Sequence, residues 1–382
     1  MARRNLLTRE ERERLFLPRT DHFSIIRNYT LTAEDLDVIG KRRGPVNRLG
    51  IAAHLALLRH PGFGLRTNSD MPDAILNYLS AQLCVAPGKF SAYGQRPQTR
   101  TDHSSIAADH LGIRPFTRAD VAHAIELAAR AAMRSDRGET IVRSLMENLK
   151  AERVILPLPD TLERSGLAGR ARARKRAAAE IVAELGGTTL ELLDALLIND
   201  SALGMTPLAW LRDMPGTPST KNMNALLKRL RFIRDLGIEP AISLATTGFR
   251  FGQFVREGSV APPFLLADYS HNRRRATLAA AVVNLEVKLA DAAILMFERL
   301  IGGLFRRSRS APLRQSGMIS SEWPPQFGKE LLLHLSSCAS FPPIAGRTSL
   351  TLPFANLAAS SGRCSRSTGW NSRICAAPAK PD

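Results

Sequence analysis

The stretch TAEDLDVIGKRRGPVNRLGIAAHLALLRHPG, Thr32–Gly62, decides the fold. Thr32 followed three residues on by Asp35 is a capping box, in which hydroxyl and carboxylate each accept from the other's backbone N–H and so open a helix. That helix is expected to run to about Arg43, where Gly44-Pro45 breaks it. Asn47 then caps a second helix ending at Pro61-Gly62. The product is a helix, a tight turn and a second helix.

The same grammar recurs along the chain. Thr117 with Asp120 opens a helix, and Asp160 with Glu163 opens another after the Leu156-Pro157-Leu158-Pro159 break. Ser219 starts one carrying Leu226, Leu227, Leu230 and Ile233 on one side. A long helix over Ala276–Phe305 shows Leu278, Val282, Leu285, Leu289, Met296 and Leu300 as an apolar stripe, which is ordinarily a core face. Strand-like alternation is almost absent, so the fold class is all-α: consecutive helical domains with helix-turn-helix-like units and an irregular C-terminal tail. At 382 residues the chain exceeds one ordinary core. The Pro-rich break places a helical domain at 1–156 and a second at 160–305. From Ser308 onward Ser, Pro, Arg and isolated Cys dominate and acidic residues nearly vanish, so 306–382 is expected to be disordered. Trp323 and Trp370 are unusual in an evolved flexible tail, and a displaced reading frame would account for both features.

The charge balance narrows the partner. Fifty-three Lys and Arg against 35 Asp and Glu leave a net +18, which favours a polyanion through attraction and counterion release. A membrane is not the expected partner, because the longest apolar passage, Leu278–Leu300, is interrupted by Glu286, Lys288, Asp291 and Glu298. The N-terminus is too charged for a signal peptide, so a cytoplasmic location is expected. Cys84 stands alone and Cys338, Cys364 and Cys375 are widely spaced without a Cys-x-x-Cys pair, which reads as reduced thiols.

Catalytic patterns are missing. The sequence has no phosphate loop, no dinucleotide fingerprint, no His-Glu-x-x-His and no nucleophile elbow. His103 and His110 share a helix face but lack a third ligand, so they read as hydrogen-bonded or solvated histidines. Glu34 with Asp35, and Glu191 with Asp194, sit in first turns where the helix dipole favours negative charge. No catalytic residue, metal ligand or cofactor is expected.

Four basic clusters are candidates for DNA contact. Lys41, Arg42, Arg43, Asn47 and Arg48 flank the Gly44-Pro45 turn, from which phosphates could be gripped while the second helix approaches a groove; a solvated surface turn is the plain alternative. Arg170, Arg172, Arg174, Lys175 and Arg176 spread around a helix as a charged rod, and their like charges at i,i+4 destabilise it unless an anion neutralises them. Lys221, Asn222, Lys228, Arg229 and Arg231, with Arg234 and Asn224, lie on the helix that Ser219 caps. Arg273–Arg275 precedes the long helix and could be only a charged loop.

The order of certain short segments carries a resemblance. Arg3-Arg4-x-Leu6-Leu7-Thr8 with Glu11-Arg12 is followed by Tyr29-Thr30-Leu31 with Asp35-Leu36, and then by Arg43-Gly44 with Asn47-Arg48-Leu49-Gly50. Leu58-Arg59-x-Pro61-Gly62, Arg114-Pro115-Phe116, Trp210-Leu211-Arg212 and Pro218-Ser219-x-Lys221-Asn222 come next. Arg274-Arg275-Ala276-Thr277-Leu278 and Leu300-Ile301-Gly302-x-Leu304-Phe305 close the series. It resembles the N-terminal DNA-binding region of Tn3-family transposases. The resemblance implies helical modules that recognise the terminal inverted repeats of a transposon in double-stranded DNA, joined to a larger C-terminal region with an RNase H-like, metal-binding acidic site.

The likeness stops after about Arg307, and no carboxylate here matches the acidic triad. The expectation is therefore a truncated, nucleoid-associated DNA-binding fragment, not an enzyme, able to self-associate or to join full-length transposase. Two other readings stand beside it. One is a helical assembly module whose basic surface binds nucleic acid non-specifically; the other is a decayed gene product.

Overall fold

Four N-terminal helices follow from local capping chemistry. Thr8 and Glu11 form a capping box that opens α1 (Arg9–Phe16), and Asp21 accepts from the Ser24 N–H to open α2 (His22–Tyr29). Thr32 and Asp35 form the expected box for α3 (Ala33–Gly40). The start of α4 (Pro45–Arg59) differs from expectation: Gly44, at φ +81°, is its cap residue and Pro45 its first residue. Glycine tolerates that backbone, and proline presets φ while lacking a donor that the first turn could not use. Asn47 lies inside the helix and donates its Nδ2 to the Arg43 carbonyl at 3.0 Å. The structure, a computed structural model, describes residues 5–310 and their side chains through 307. The expectations for 311–382, including Trp323, Trp370 and the three C-terminal cysteines, lie outside the described residues.

α4 is a core helix. Every residue from Leu49 to Leu58 is buried, as α3, α5 (Asp73–Leu83) and α6 (Pro97–Leu111) pack around it. A second layer is built from α7 (Asp120–Ala132), α8 (Gly138–Ala151) and α9 (Pro159–Ala183), the last starting where the chain turns out of the Leu156–Pro159 break. α7 and α9 meet through small residues: a Cβ on Gly169 would lie 2.6 Å from the Ala128 Cβ, and Ala124, Ala128 and Ala173 are buried at the contact. Their apolar cluster gathers Leu127, Ile141, Leu145, Leu149 and Leu162 and also takes in Leu6, Leu7, Leu15 and Phe16.

The remaining helices are α10 (Gly187–Ala195), α11 (Pro207–Arg212), α12 (Thr220–Asp235), α13 (Gly248–Val260), α14 (Pro263–Ala267) and α15 (His271–Ser310). α15 begins earlier than Ala276 and ends later than Phe305, and it packs against α9, α10, α12 and α13. Leu278, Val282, Leu285, Leu289 and Met296 of the expected stripe are buried there. The early start has a physical cause. Arg274 and Arg275 reach Asp194 on α10 at 2.9 and 2.8 Å, and Arg273 reaches Glu257 at 2.9 Å, so the first turn of α15 is held by ion pairs. Among the described residues there is no strand, only three isolated bridges, and the chain is all-α.

Candidate nucleic-acid interface

α12 shows the clearest separation of faces. Ser219 accepts from the Asn222 N–H at 3.1 Å to start it. Met223, Leu226, Leu227, Leu230 and Ile233 are buried, and the helix packs on α15. Lys221, Asn224, Lys228 and Arg231 are all exposed, and their spacing of three, four and three puts them on one line of the opposite face. Two of the residues picked from the sequence are employed otherwise. The Asn222 amide donates to the Thr217 carbonyl at 2.8 Å and fixes the turn before the helix. Arg229 is 6% exposed, donates from Nε to the Trp210 carbonyl at 2.9 Å and lies over the Trp210 ring at 4.8 Å. It ties α12 to α11, and burial lowers its pKa despite the attraction of Asp213.

The rod on α9 carries its own counterions. Arg172 pairs with Glu126 at 3.2 Å, Arg176 with Glu126 at 3.6 Å and Glu180 at 3.0 Å, and Arg174 with Asp136. The repulsion between like charges is thus relieved by carboxylates of α7, of the α7–α8 turn and of α9 itself, which removes the reason for requiring an external anion. Arg170 and Lys175 have no acidic partner among the described residues. Arg172, Arg174 and Arg176 remain about half exposed while paired.

The turn between α3 and α4 exposes Lys41, Arg43 and Arg48 and half-buries Arg42 and Asn47. Arg48 donates from Nε to the Arg42 carbonyl at 3.1 Å, closing the turn. The second helix of this pair cannot lie in a DNA groove, because α4 is covered by its neighbours from Leu49 to Leu58. Only its first turn faces outward. Nor is Arg273–Arg275 a loop: these residues form the paired first turn of α15, with the Arg273 guanidinium 3.8 Å from the Tyr269 ring centroid.

The histidines and acids are structural. His103 bonds the Tyr93 hydroxyl at 3.0 Å, and His110 Nε2 lies 2.9 Å from Asp35 Oδ1. Asp35 is fully buried and receives both Arg59 Nη atoms at 2.6 Å. Burial pushes its carboxyl upward, but Arg59, the Thr32 N–H and His110 outweigh that and hold it well below the usual carboxylate range. Arg250, also fully buried, donates to Asp136 at 3.0 Å and to the Ala132 carbonyl, fastening α13 to the end of α7. Sequence reading missed it because Asp136 is 114 residues away. Among the described residues, no group of three or more His, Cys, Asp or Glu is placed to hold a metal ion, and no helix is long and apolar enough to cross a membrane.

Comparison with known proteins gives this arrangement a lineage. Residues 6–169 match a family model described as a domain of unknown function (DUF4158). Over 315 residues, 82% of this chain and 32% of the relative, the sequence is 33% identical to a transposase for transposon Tn3926 of Escherichia coli. It is 32% identical over the same length to a transposase for transposon Tn21 of Escherichia coli, again 82% of this chain and 32% of the relative. Against a transposase for transposon Tn501 of Pseudomonas aeruginosa it is 30% identical over 305 residues, 80% of this chain and 31% of the relative. The chain spans about a third of the length of the curated relatives it matches. By these matches the chain is a homologue of the Tn3-family transposases.

Proposed function

We propose that the chain binds double-stranded DNA at the terminal inverted repeats of a transposon and supplies end recognition in DNA transposition. The observation that carries this reading is the α12 face: in a transposase homologue, Lys221, Asn224, Lys228 and Arg231 stand exposed along one line of a helix anchored by its other side. Cations on such a line meet phosphates, while Asn and Arg are the side-chain types that pair with adenine and guanine edges.

Lys41, Arg43 and Arg48 at the α3–α4 turn, and Arg170 and Lys175 on α9, add phosphate contacts, so that residues 1–156 and 160–305 both touch DNA. Exposed ion pairs contribute about 0–1 kcal/mol each, so the α9 arginines can exchange a carboxylate for a phosphate at little cost. Strand cleavage and transfer are not assigned to these residues. A nucleoid location follows from DNA binding.

An assembly role has its own observation. The outer part of α15 leaves Leu295 and Phe305 53% and 61% exposed, an apolar face for self-association or for joining full-length transposase. Lys221→Gln/Lys228→Gln separates the two roles. In a gel shift on inverted-repeat duplex the double variant binds more weakly and with a shallower salt dependence, while its self-association by sedimentation is unchanged. Undiminished DNA binding would contradict the assignment to α12.

A further inference from the structure

A groove of about 600 Å³ opens between the end of α1, α2 and the outer side of α8, and no residue of the basic clusters read in the sequence lines it. Arg19, Arg27, His60, Arg143 and Lys150 line it. Its charge is one-sided. Arg14 and Arg143 are both engaged by Glu139, but the side chains of Arg19, Arg27 and Lys150 form no ion pair or hydrogen bond among the described residues. The nearby carboxylates are Asp21, whose field reaches Arg19, and Glu147, whose field reaches Lys150.

The groove's cations act on one another. Burial first, and then repulsion from Lys150, Arg27 and Arg59, lowers the pKa of His60. Burial likewise lowers that of Lys150 against the partial attraction of Glu147. Like charges that outnumber the carboxylates around them are stabilised by an incoming anion. The rim is apolar, with Phe23 and Leu17 73% and 59% exposed.

We propose that this groove is a further DNA-backbone contact, in which Arg19, Arg27 and Lys150 grip successive phosphates while Phe23 and Leu17 lie against the sugars. The inference rests on the DNA-binding reading above and deepens it. A small free anion would leave the apolar rim unused, whereas a strand alternating phosphate with deoxyribose matches both parts of the groove. His60 follows the last residue of α4 and Arg43 precedes its first turn. Fifteen residues at about 1.5 Å each set the two contacts roughly 22 Å apart. The groove is therefore a separate anchor, not an extension of the α3–α4 turn.

The test uses the full chain and an inverted-repeat duplex, with the binding constant followed against salt on logarithmic axes. Each lost phosphate contact reduces the slope by about 0.9, so Arg19→Gln/Arg27→Gln/Lys150→Gln should flatten it by roughly 2.7. Lys150→Arg should retain it. The exposed single changes Arg19→Gln and Arg27→Gln, each expected to flatten the slope by about 0.9, carry the test if the triple variant melts early. Slopes equal to that of the unaltered chain in all variants overturn the groove contact and leave DNA binding standing. Loss of poly-glutamate binding without a change in DNA slope assigns the groove to an acidic protein segment and also overturns it. If the unaltered chain shows no salt-dependent DNA binding, the DNA reading itself fails.

Discussion

Replacing His54 by Leu should flatten the dependence of stability on pH. His54 is fully buried on α4, and neither ring nitrogen has a hydrogen-bond partner. Its ring stands edge-on to Tyr93 with centroids 6.1 Å apart. Burial, helped by repulsion from His103 and Arg100, lowers its pKa to about 4. In the unfolded chain the value is about 6.5, so between these limits the unfolded state holds a proton that the folded state excludes, and stability falls as the pH falls. At about pH 5 the unfolded form gains roughly 2 kcal/mol from this one group, and near pH 7.5 almost nothing. Urea denaturation of the DNA-free protein at both pH values, for the native chain and for His54→Leu, measures the difference. The native chain should lose about 2 kcal/mol more than the variant between them. Equal losses, within about 0.5 kcal/mol, would refute the reasoning that His54 is held neutral by burial.

Arg229→Met should lower stability by roughly 1–3 kcal/mol in urea melts, because it leaves the Trp210 carbonyl with only the shared Asp213 N–H and removes the ring contact; a normal melt with weakened DNA binding would instead place Arg229 at the interface. Arg59→Met leaves the buried Asp35 carboxylate with His110 as its remaining side-chain partner, and a loss of about 3–5 kcal/mol is expected, against which a change below about 1 kcal/mol would count. With its folded value held below the usual range, the Asp35 contribution is present above about pH 4 and is lost as the pH falls through the folded value. Gly169→Ala forces a Cβ to 2.6 Å from Ala128, so about 1–3 kcal/mol of destabilisation is expected by thermal melting, and an unchanged midpoint would show that α7 and α9 separate freely.

What was legible in the sequence was local. Thr32 with Asp35, and Ser219 with its following apolar side, open helices because partners three residues apart set the geometry by themselves. Asn47 was misread as a cap because Gly44 and Pro45 already supply that start. The clusters on α9 and at the head of α15 looked unpaired because their counterions come from far along the chain: Asp136 for Arg174, 38 residues away, and Asp194 for Arg274, 80 residues away. Two signals were available in the pattern. Leu49–Leu58 is apolar on nearly every side, which marks a core helix, not one face laid in a groove. Arg229 falls within about 40° of Ile233 and about 60° of Leu226 on the helical wheel, at the edge of their apolar face, and so turns inward beside them. The groove formed by α1, α2 and α8 could not be read in advance, since Arg19, Arg27 and Lys150 belong to three segments that only the fold assembles.

The central claim, that these helices recognise transposon ends, is tested most directly by the affinity of the chain for inverted-repeat duplex relative to random duplex of equal length at physiological salt. End recognition predicts a preference of about a thousandfold or more. Equal affinity for the two duplexes would contradict it and reduce the basic faces to a non-specific polyanion surface.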